Sequence, residues 1–219
     1  MNKIIVNKHK NKVNYQKEME KIIDTFEESE GVKKLALHVC CAPCSSHCLS
    51  VLTEHFDITC VYYNPNISPV EEYEKRFGEL IKYVEKMPKI NTVNTFKGEY
   101  ENEKFEAMAK GLEEVPEGGA RCHKCYRMRM EYAAEYAKKN GFDYFTTTLS
   151  LSPLKDSQII NQIGKEVAEE YGVNYLYSDF KKNNGYLHSI ELSKEYDLYR
   201  QNFCGCIYSK PDEEKTACN

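Results

Sequence analysis

Between residue 34 and about residue 180 the chain alternates short apolar runs with longer amphipathic ones, and nothing else in it restricts the fold as tightly. "KKLALHV" reads as a strand and is followed by a helix from about Pro43 to Glu54. "DITCVYYN" reads as a second strand, and "NPNISP" turns the chain into a helix starting near Pro69, where a first-turn proline is tolerated. "KINTVNTF" is a third strand, followed by a Glu-rich helix over about 102–111 and the loop "EEVPEGGA". A long helix over about 123–139 stops at Asn140-Gly141, a helix-ending pair. "FDYFTTTL" is a strand, 155–171 a helix stopped by Gly172, and "VNYLYSDF" the next strand. "NNGYLHSIELSKEYDLYRQN" supplies a turn and a short helix. Strands separated by helices imply an α/β fold with an open parallel sheet flanked by helices. Ligands of such sheets sit beyond the carboxyl ends of the strands, where the strand order switches.

Ahead of this core, Tyr15, Met19, Ile22, Ile23 and Phe26 recur at helical spacing and predict an amphipathic helix over 14–29. The expected organisation is a basic tail and helix over 1–30, one α/β metal-binding catalytic domain over 31–209, and a polar tail over 210–219. The segment 112–120 is the expected flexible loop.

A chain of 219 residues can bury a core without covalent staples, yet it carries ten cysteines. Its N-terminus has neither an apolar signal core nor a small-residue cleavage site, and no run approaches a membrane span of ~20 residues. A cytoplasmic protein is expected, in which clustered thiols bind metal or do chemistry rather than pair. The net charge of −4 gives no global pull toward nucleic acid. Two stretches are nonetheless basic: residues 1–17, with Lys3, Lys8, Lys10, Lys12, Lys17 and no acid, and "RCHKCYRMR". Such patches can meet phosphates on an acidic protein, or serve as ordinary solvated surface.

Seven of the cysteines fall in three clusters. "CCAPC" places Cys40 and Cys41 where the first strand ends and Cys44 in the first turn of the next helix. This corner holds a Gly-rich phosphate loop in nucleotide-binding α/β proteins, and its backbone N–H groups and helix dipole favour a thiolate as well. Pro43 stiffens the turn without removing a needed donor. "RCHKC" adds Cys122 and Cys125, and "FCGC" adds Cys204 and Cys206 around Gly205, which permits a tight turn. A lone CxxC fits a redox pair or half of a zinc site. Three clusters together point to metal, and seven thiols exceed one four-thiolate site. The surplus suits a second, open metal with a free position for Lewis-acid chemistry, or a redox pair; two structural zincs are the blander reading. Cys48 and Cys60 read as packed small hydrophobes, Cys218 as part of a polar tail, and His38 as a buried histidine beside the cluster.

"LHVCCAPC", "YYNPNISPVEEYEKR", "RCHKCYRMRM", "FTTTLSLSPLKD" and "DLYRQNFCGCIYS", in this order from residue 35 to 209, resemble the cobalamin-independent epoxyqueuosine reductases of the QueH family. The resemblance implies reduction of the epoxide of epoxyqueuosine to the alkene of queuosine at the tRNA wobble position. It implies a 4Fe–4S cluster beside a non-cluster iron, which uses the seven thiols as four plus three. A HUP or PP-loop-like fold is implied as well, although the "SGGxDS" of ATP-using PP-loop enzymes is absent. Cys40, Cys41, Cys44, Cys122, Cys125, Cys204 and Cys206 are then the expected metal ligands, with Cys40, Cys41, Cys44 and Cys206 catalytic. No flavin or nicotinamide fingerprint is visible, so an external donor such as a ferredoxin or a reductase is expected.

The polar blocks suit substrate handling. Asn64, Asn66, Tyr63, Arg76, Thr147, Ser152 and Lys155 are candidates for substrate contact, with turn chemistry, capping and ion pairing as the alternative roles. Tyr62, Tyr63 and Tyr126 could stack on an unstacked base, with core packing as the alternative role of Tyr62. Arg121, Arg127, Arg129 and Arg200 are candidates for tRNA phosphates, or for salt bridges. An iron–sulfur tRNA thiolase of the PP-loop kind and a non-catalytic zinc-binding or electron-carrier module remain as rival readings.

Overall fold

The computed structural model describes residues 12–27, 29 and 31–210. Lys3, Lys8, Lys10 and Cys218 lie outside these residues. Five parallel strands form one sheet: β1 (Lys33–His38), β2 (Phe56–Tyr62), β3 (Val93–Lys97), β4 (Tyr144–Thr147) and β5 (Asn174–Tyr175), in the order β3-β2-β1-β4-β5. The central strands are buried on both faces, as a parallel sheet covered by helices requires. Their side chains divide by parity. Leu35, Leu37, Ile58, Cys60 and Tyr62 join one apolar cluster, and Ala36, Val61 and Phe145 join the other.

Helices α1 (Tyr15–Ile23), α2 (Ala42–Leu52) and α3 (Val70–Lys86) cover the first face through Met19, Leu49, Leu52, Tyr73, Leu80 and Tyr83. The second face is covered by α5 (Ala120–Lys139) and α6 (Ser157–Tyr171). Ala133, Ala134 and Ala137 are fully buried on α5, and their small side chains let the helix lie close to the sheet. A short helix α4 (Asn102–Ala109) precedes α5, and α7 (Gly185–Glu195) packs on α2. Helix α6 starts on the Asp156 side chain, which accepts from Gln158 N, and ends at Gly172 with φ +63°. Among the described residues no helix is long and apolar enough to cross a membrane.

Four expectations are corrected in detail. The first helix ends at Ile23 rather than 29; Thr25 bonds back to the Ile22 carbonyl at 2.6 Å, and Phe26 packs edge-on to Phe56 outside the helix. The long helix begins at Ala120, three residues before the expected start. "VNYLYSDF" contributes only two paired residues, because the Asn161 side chain takes both Ser178 N and Ser178 O, at 2.9 and 2.8 Å, and displaces the ladder. The loop expected to be flexible is tied down by Arg121 Nη1, which donates to the carbonyls of Leu112, Glu113 and Val115 at 2.6–2.9 Å.

Helices α2 and α7 meet at a histidine pair, with His47 Nδ1 3.0 Å from His188 Nδ1. Gly185 is required here, since a Cβ would lie 2.4 Å from His47 Nε2 and 1.9 Å from the Phe180 carbonyl. Burial, and then His188, pull His47 from 6.5 down to about 4. The native state therefore holds His47 neutral while the unfolded chain protonates it. Stability from this group is complete above pH 6.5 and is lost as pH falls toward 4. Urea midpoints should drop across that window by the equivalent of about 1–3 kcal/mol, and His47→Asn should flatten the profile.

Candidate metal centre

Strand β1 lies at the centre of the sheet, with β2 on one side and β4 on the other, so the strand order switches between β1 and β4. At that point Val39 N donates to the Val61 carbonyl, the ladder ends, and the chain turns through Cys40 into α2. Cys41 is the N-cap residue, in extended backbone at φ −169°, and Pro43 sits in the first turn. Ser45 bonds the Cys41 carbonyl through both its N–H and its hydroxyl, fixing the turn. The result brings the sulfurs of Cys40, Cys41 and Cys44 within 4.8 Å of one another. Cys40 Sγ is 3.9 Å from Cys41 Sγ and 3.7 Å from Thr148 Oγ1, in the 3-10 turn that follows β4.

Hydrogen bonds from the Cys41 and Cys44 thiols hold Cys40 well below the usual thiol range, helped by the positive charge of Arg129. The same contacts push Cys41 up, and Cys44 to about 12. Cys40 is thus the thiol of the three that ionises most readily. A soft cation would let all three ionise, which is how metal binding expels protons.

The other four clustered cysteines line an adjoining small cavity of about 20 Å³, together with Asn66, Tyr126 and Arg129. Cys125 and Cys206 pack with Phe105 and Ala109 of α4, and burial pushes their thiols up to about 11 and about 12. Cys122 Sγ accepts from Gly118 N at 3.3 Å. Gly205, between Cys204 and Cys206, has φ +99°, and a Cβ there would lie 2.9 Å from Ile67 and 3.0 Å from Arg76 Nη1. Among the described residues no other trio of Cys, His, Asp or Glu brings its ligand atoms within 4.8 Å.

A larger cleft of about 410 Å³ contains Cys40, Cys41 and Cys44 and reaches Cys204. It shares Glu117, Arg129, Cys204 and Ser209 with the small cavity. All seven clustered cysteines thus border two neighbouring spaces with four wall residues in common. Glu117 lies in a loop and Ser209 in a single 3-10 turn, neither of which carries a periodic signal, and the sequence reading misses them.

Two buried guanidinium groups flank the sulfurs. Arg129 is 1% exposed and donates to the Cys125 carbonyl and Asn64 Oδ1 at 3.3 and 3.4 Å. Arg76 is 2% exposed and donates to Glu72 and the Cys204 carbonyl at 2.7 and 3.3 Å. Nη2 of each has no protein partner. Burial pulls both arginines down, but the neighbouring cysteines outweigh it and raise them above their ordinary value. Buried cations with unfilled donors are costly unless an anion faces them. A thiolate-bound metal centre is such an anion, so the donor set and its surroundings fit one.

The remaining predicted residues separate clearly. Ser152, Lys155 and Arg200 line the larger cleft, as Arg76 does, and Asn66 lines the smaller. Thr147 is fully buried and bonds His38 Nδ1 at 2.8 Å, while His38 Nε2 donates to the Tyr63 carbonyl at 3.2 Å. Burial, then Arg129, pull His38 to about 3, so it is neutral. Asn64 is fully buried and donates to the Val39 carbonyl. Tyr63 is 3% exposed, stacked on Tyr132 at 3.8 Å, and its hydroxyl donates to Glu101; its ring offers no open face to a base. Of the four arginines assigned to phosphate, Arg121 closes the 112–115 loop, Arg129 is enclosed beside the sulfurs, and Arg127 pairs with Glu131, Glu166 and Glu170. Only Arg200 is exposed. Cys48 and Cys60 are core residues.

Fold and site together define an α/β protein with a cluster of thiols able to hold a metal at the switch point of a parallel sheet. A sequence profile described as epoxyqueuosine reductase QueH matches residues 35–212. Similar proteins bearing that name include one from Staphylococcus epidermidis, 43% identical over 95% of this chain and 89% of its own. One from Streptococcus pyogenes is 41% identical over 95% and 83%, and one from Thermotoga maritima 39% identical over 79% and 88%. The chain belongs to the epoxyqueuosine reductase QueH family.

Proposed function

We propose that this chain reduces the epoxide of epoxyqueuosine to the alkene of queuosine within tRNA, using a 4Fe–4S cluster and an adjacent iron held by the seven clustered cysteines. The single observation that carries the reading is the seven thiols bordering two neighbouring cavities with common wall residues at the switch point of the sheet. The overall change is epoxide plus two electrons and two protons to alkene plus water, with the electrons drawn from an external protein donor. When bound, the metal centre supplies one-electron transfer and a Lewis-acidic position for oxygen.

The chain's own residues account for the rest. Arg76 and Arg129 balance thiolate charge. Thr147 holds His38 as a neutral ring under the cluster turn. Lys155 faces the cleft, and its interaction with the Cys204 sulfur outweighs burial and holds its ammonium above the usual lysine range, so Nζ stays protonated. It offers a charged N–H to the epoxide oxygen as negative charge develops there. Lys155→Met should lower kcat by about 10²–10³-fold with unchanged metal content, and Lys155→Arg should recover part of the loss.

The test is anaerobic incubation of the metal-loaded protein with an epoxyqueuosine-containing stem-loop and reduced ferredoxin, followed by mass analysis of the nucleoside. Loss of one oxygen with gain of the alkene is the expected result. Unchanged substrate with a fully loaded protein would overturn the reading.

A further inference from the structure

The small cavity lined by Cys122, Cys125, Cys204 and Cys206 is also lined by Asn66, which takes no part in the wall of the larger cleft. Asn66 is 1% exposed, and its Oδ1 has no hydrogen-bond partner among the described residues. Buried polar side chains are nearly always paired, so an orphaned one raises the question of what faces it. Six such atoms occur among the described residues. Three of them, Asn66 Oδ1, Arg121 Nε and Arg129 Nη2, belong to residues lining this one cavity. The two arginines are cations beside sulfur, and their charge accounts for their place. Asn66 carries no charge, so its place has to be explained by hydrogen bonding alone.

The chain around Asn66 is fastened. It sits in a tight turn closed by Ile67 N, which donates to the Asn64 carbonyl at 3.1 Å. Asn64 Nδ2 donates to the Val39 carbonyl at 2.9 Å, tying the turn to the end of β1 just ahead of Cys40. The Pro65 carbonyl accepts from Asn102 Nδ2 at 2.8 Å, and the Ile67 carbonyl from the Tyr100 hydroxyl at 3.0 Å. Ser68 N donates to the carbonyl of Gly205, between Cys204 and Cys206, at 3.0 Å. These bonds fix the turn against both the first and the third cysteine cluster. The Asn66 side chain is thus held at the cavity wall by its neighbours, with its own oxygen unused.

A carboxamide offers one acceptor oxygen and two N–H donors, and a half-turn about χ2 exchanges their positions. A metal-bound sulfur only accepts, so an amide that meets one presents Nδ2. Such N–H···S bonds draw charge from the sulfur and favour the reduced, more negative state of the centre. We infer that Asn66 donates from Nδ2 to a sulfur of the metal centre and raises its reduction potential, as a positioning residue rather than a ligand. The inference rests on the proposed function, since it presumes a metal centre at these thiols. The sequence suggests substrate contact for Asn66, but the space it lines is walled by sulfur and lies beside the cleft rather than in it.

The test is an anaerobic redox titration, followed by visible absorption, of the full chain and of Asn66→Leu, Asn66→Asp and Asn66→Gln. Each is reconstituted with iron and sulfide and analysed for iron. Leu keeps the approximate volume without any polar atom, Asp keeps the shape without the N–H donors, and Gln keeps the amide. Asn66→Leu should move the oxidised-to-reduced ratio at a fixed applied potential about tenfold toward oxidised, a midpoint lower by about 59 mV for a one-electron centre. Asn66→Asp should lower the midpoint at least as far, and it decides alone if Asn66→Leu does not fold. Asn66→Gln should fall between Asn66→Leu and the parent, and iron content should match the parent in all three. Unchanged midpoints in the loaded Leu and Asp variants overturn the inference and leave the metal centre standing. A raised KM for the stem-loop at an unchanged midpoint assigns Asn66 to the substrate and overturns the inference as well. A parent chain that takes up no iron overturns the proposed function, and the inference with it.

Discussion

Cys41→Ala and Cys206→Ala should each abolish turnover, a fall of more than about 10³-fold, with loss of bound iron. The size follows from what the thiols hold. A metal centre contributes several kcal/mol to charge development at oxygen and carries the electrons as well, and each 1.36 kcal/mol is tenfold in rate. The two sites test different parts of the arrangement. Cys41 belongs to the trio already within 4.8 Å at the helix start. Cys206 lines the smaller cavity, buried against Phe105 of α4. Cys218→Ala, in the polar tail and without a partner at ligand spacing, should leave iron content and turnover unchanged. Anaerobic iron analysis with single-turnover assays checks all three. Full activity after removal of either motif cysteine would break the ligand set.

Arg129→Met should cost about 10–100-fold in metal affinity, the range seen when outer partners of a metal site are removed. Arg129 is among the largest fully buried side chains, and its charge faces Cys125, Cys204 and Cys40. Loss of a unit charge several ångström away, at an effective dielectric near 20, is worth about 2–3 kcal/mol. The fraction that still loads should therefore show a midpoint potential lower by on the order of 100 mV, because a positive charge favours the reduced, more negative centre. Arg129→Lys should restore part of the potential. A merely structural arginine would lower thermal stability in both substitutions and leave the potential where it was.

These arginines show how far the sequence can be read. The strand–helix alternation and the end-of-strand position of "CCAPC" depend on local periodicity, and both appear in the structure as expected. Arg121, Cys125 and Arg129 stand at i, i+4 and i+8 of one helix and so share its buried face, whereas Arg127 points to α6 and its glutamates. Following the period of 3.6 through "RCHKCYRMR" would have moved Arg121 and Arg129 from the RNA surface to the interior. Tyr63 and β5 are different. The stack of Tyr63 on Tyr132 and the capture of Ser178 by Asn161 join residues 69 and 17 positions apart in sequence, and no local pattern announces either. The Gln158 bridge to Val13, across 145 residues, is hidden in the same way.

One composite metal centre built from seven thiols underlies the proposed chemistry, and iron stoichiometry with an absorption spectrum, measured on protein purified without oxygen, addresses it most directly. Visible iron–sulfur absorption with more than four irons per chain is the predicted result. Colourless protein carrying two zinc ions, with no iron bound after anaerobic reconstitution, would contradict it.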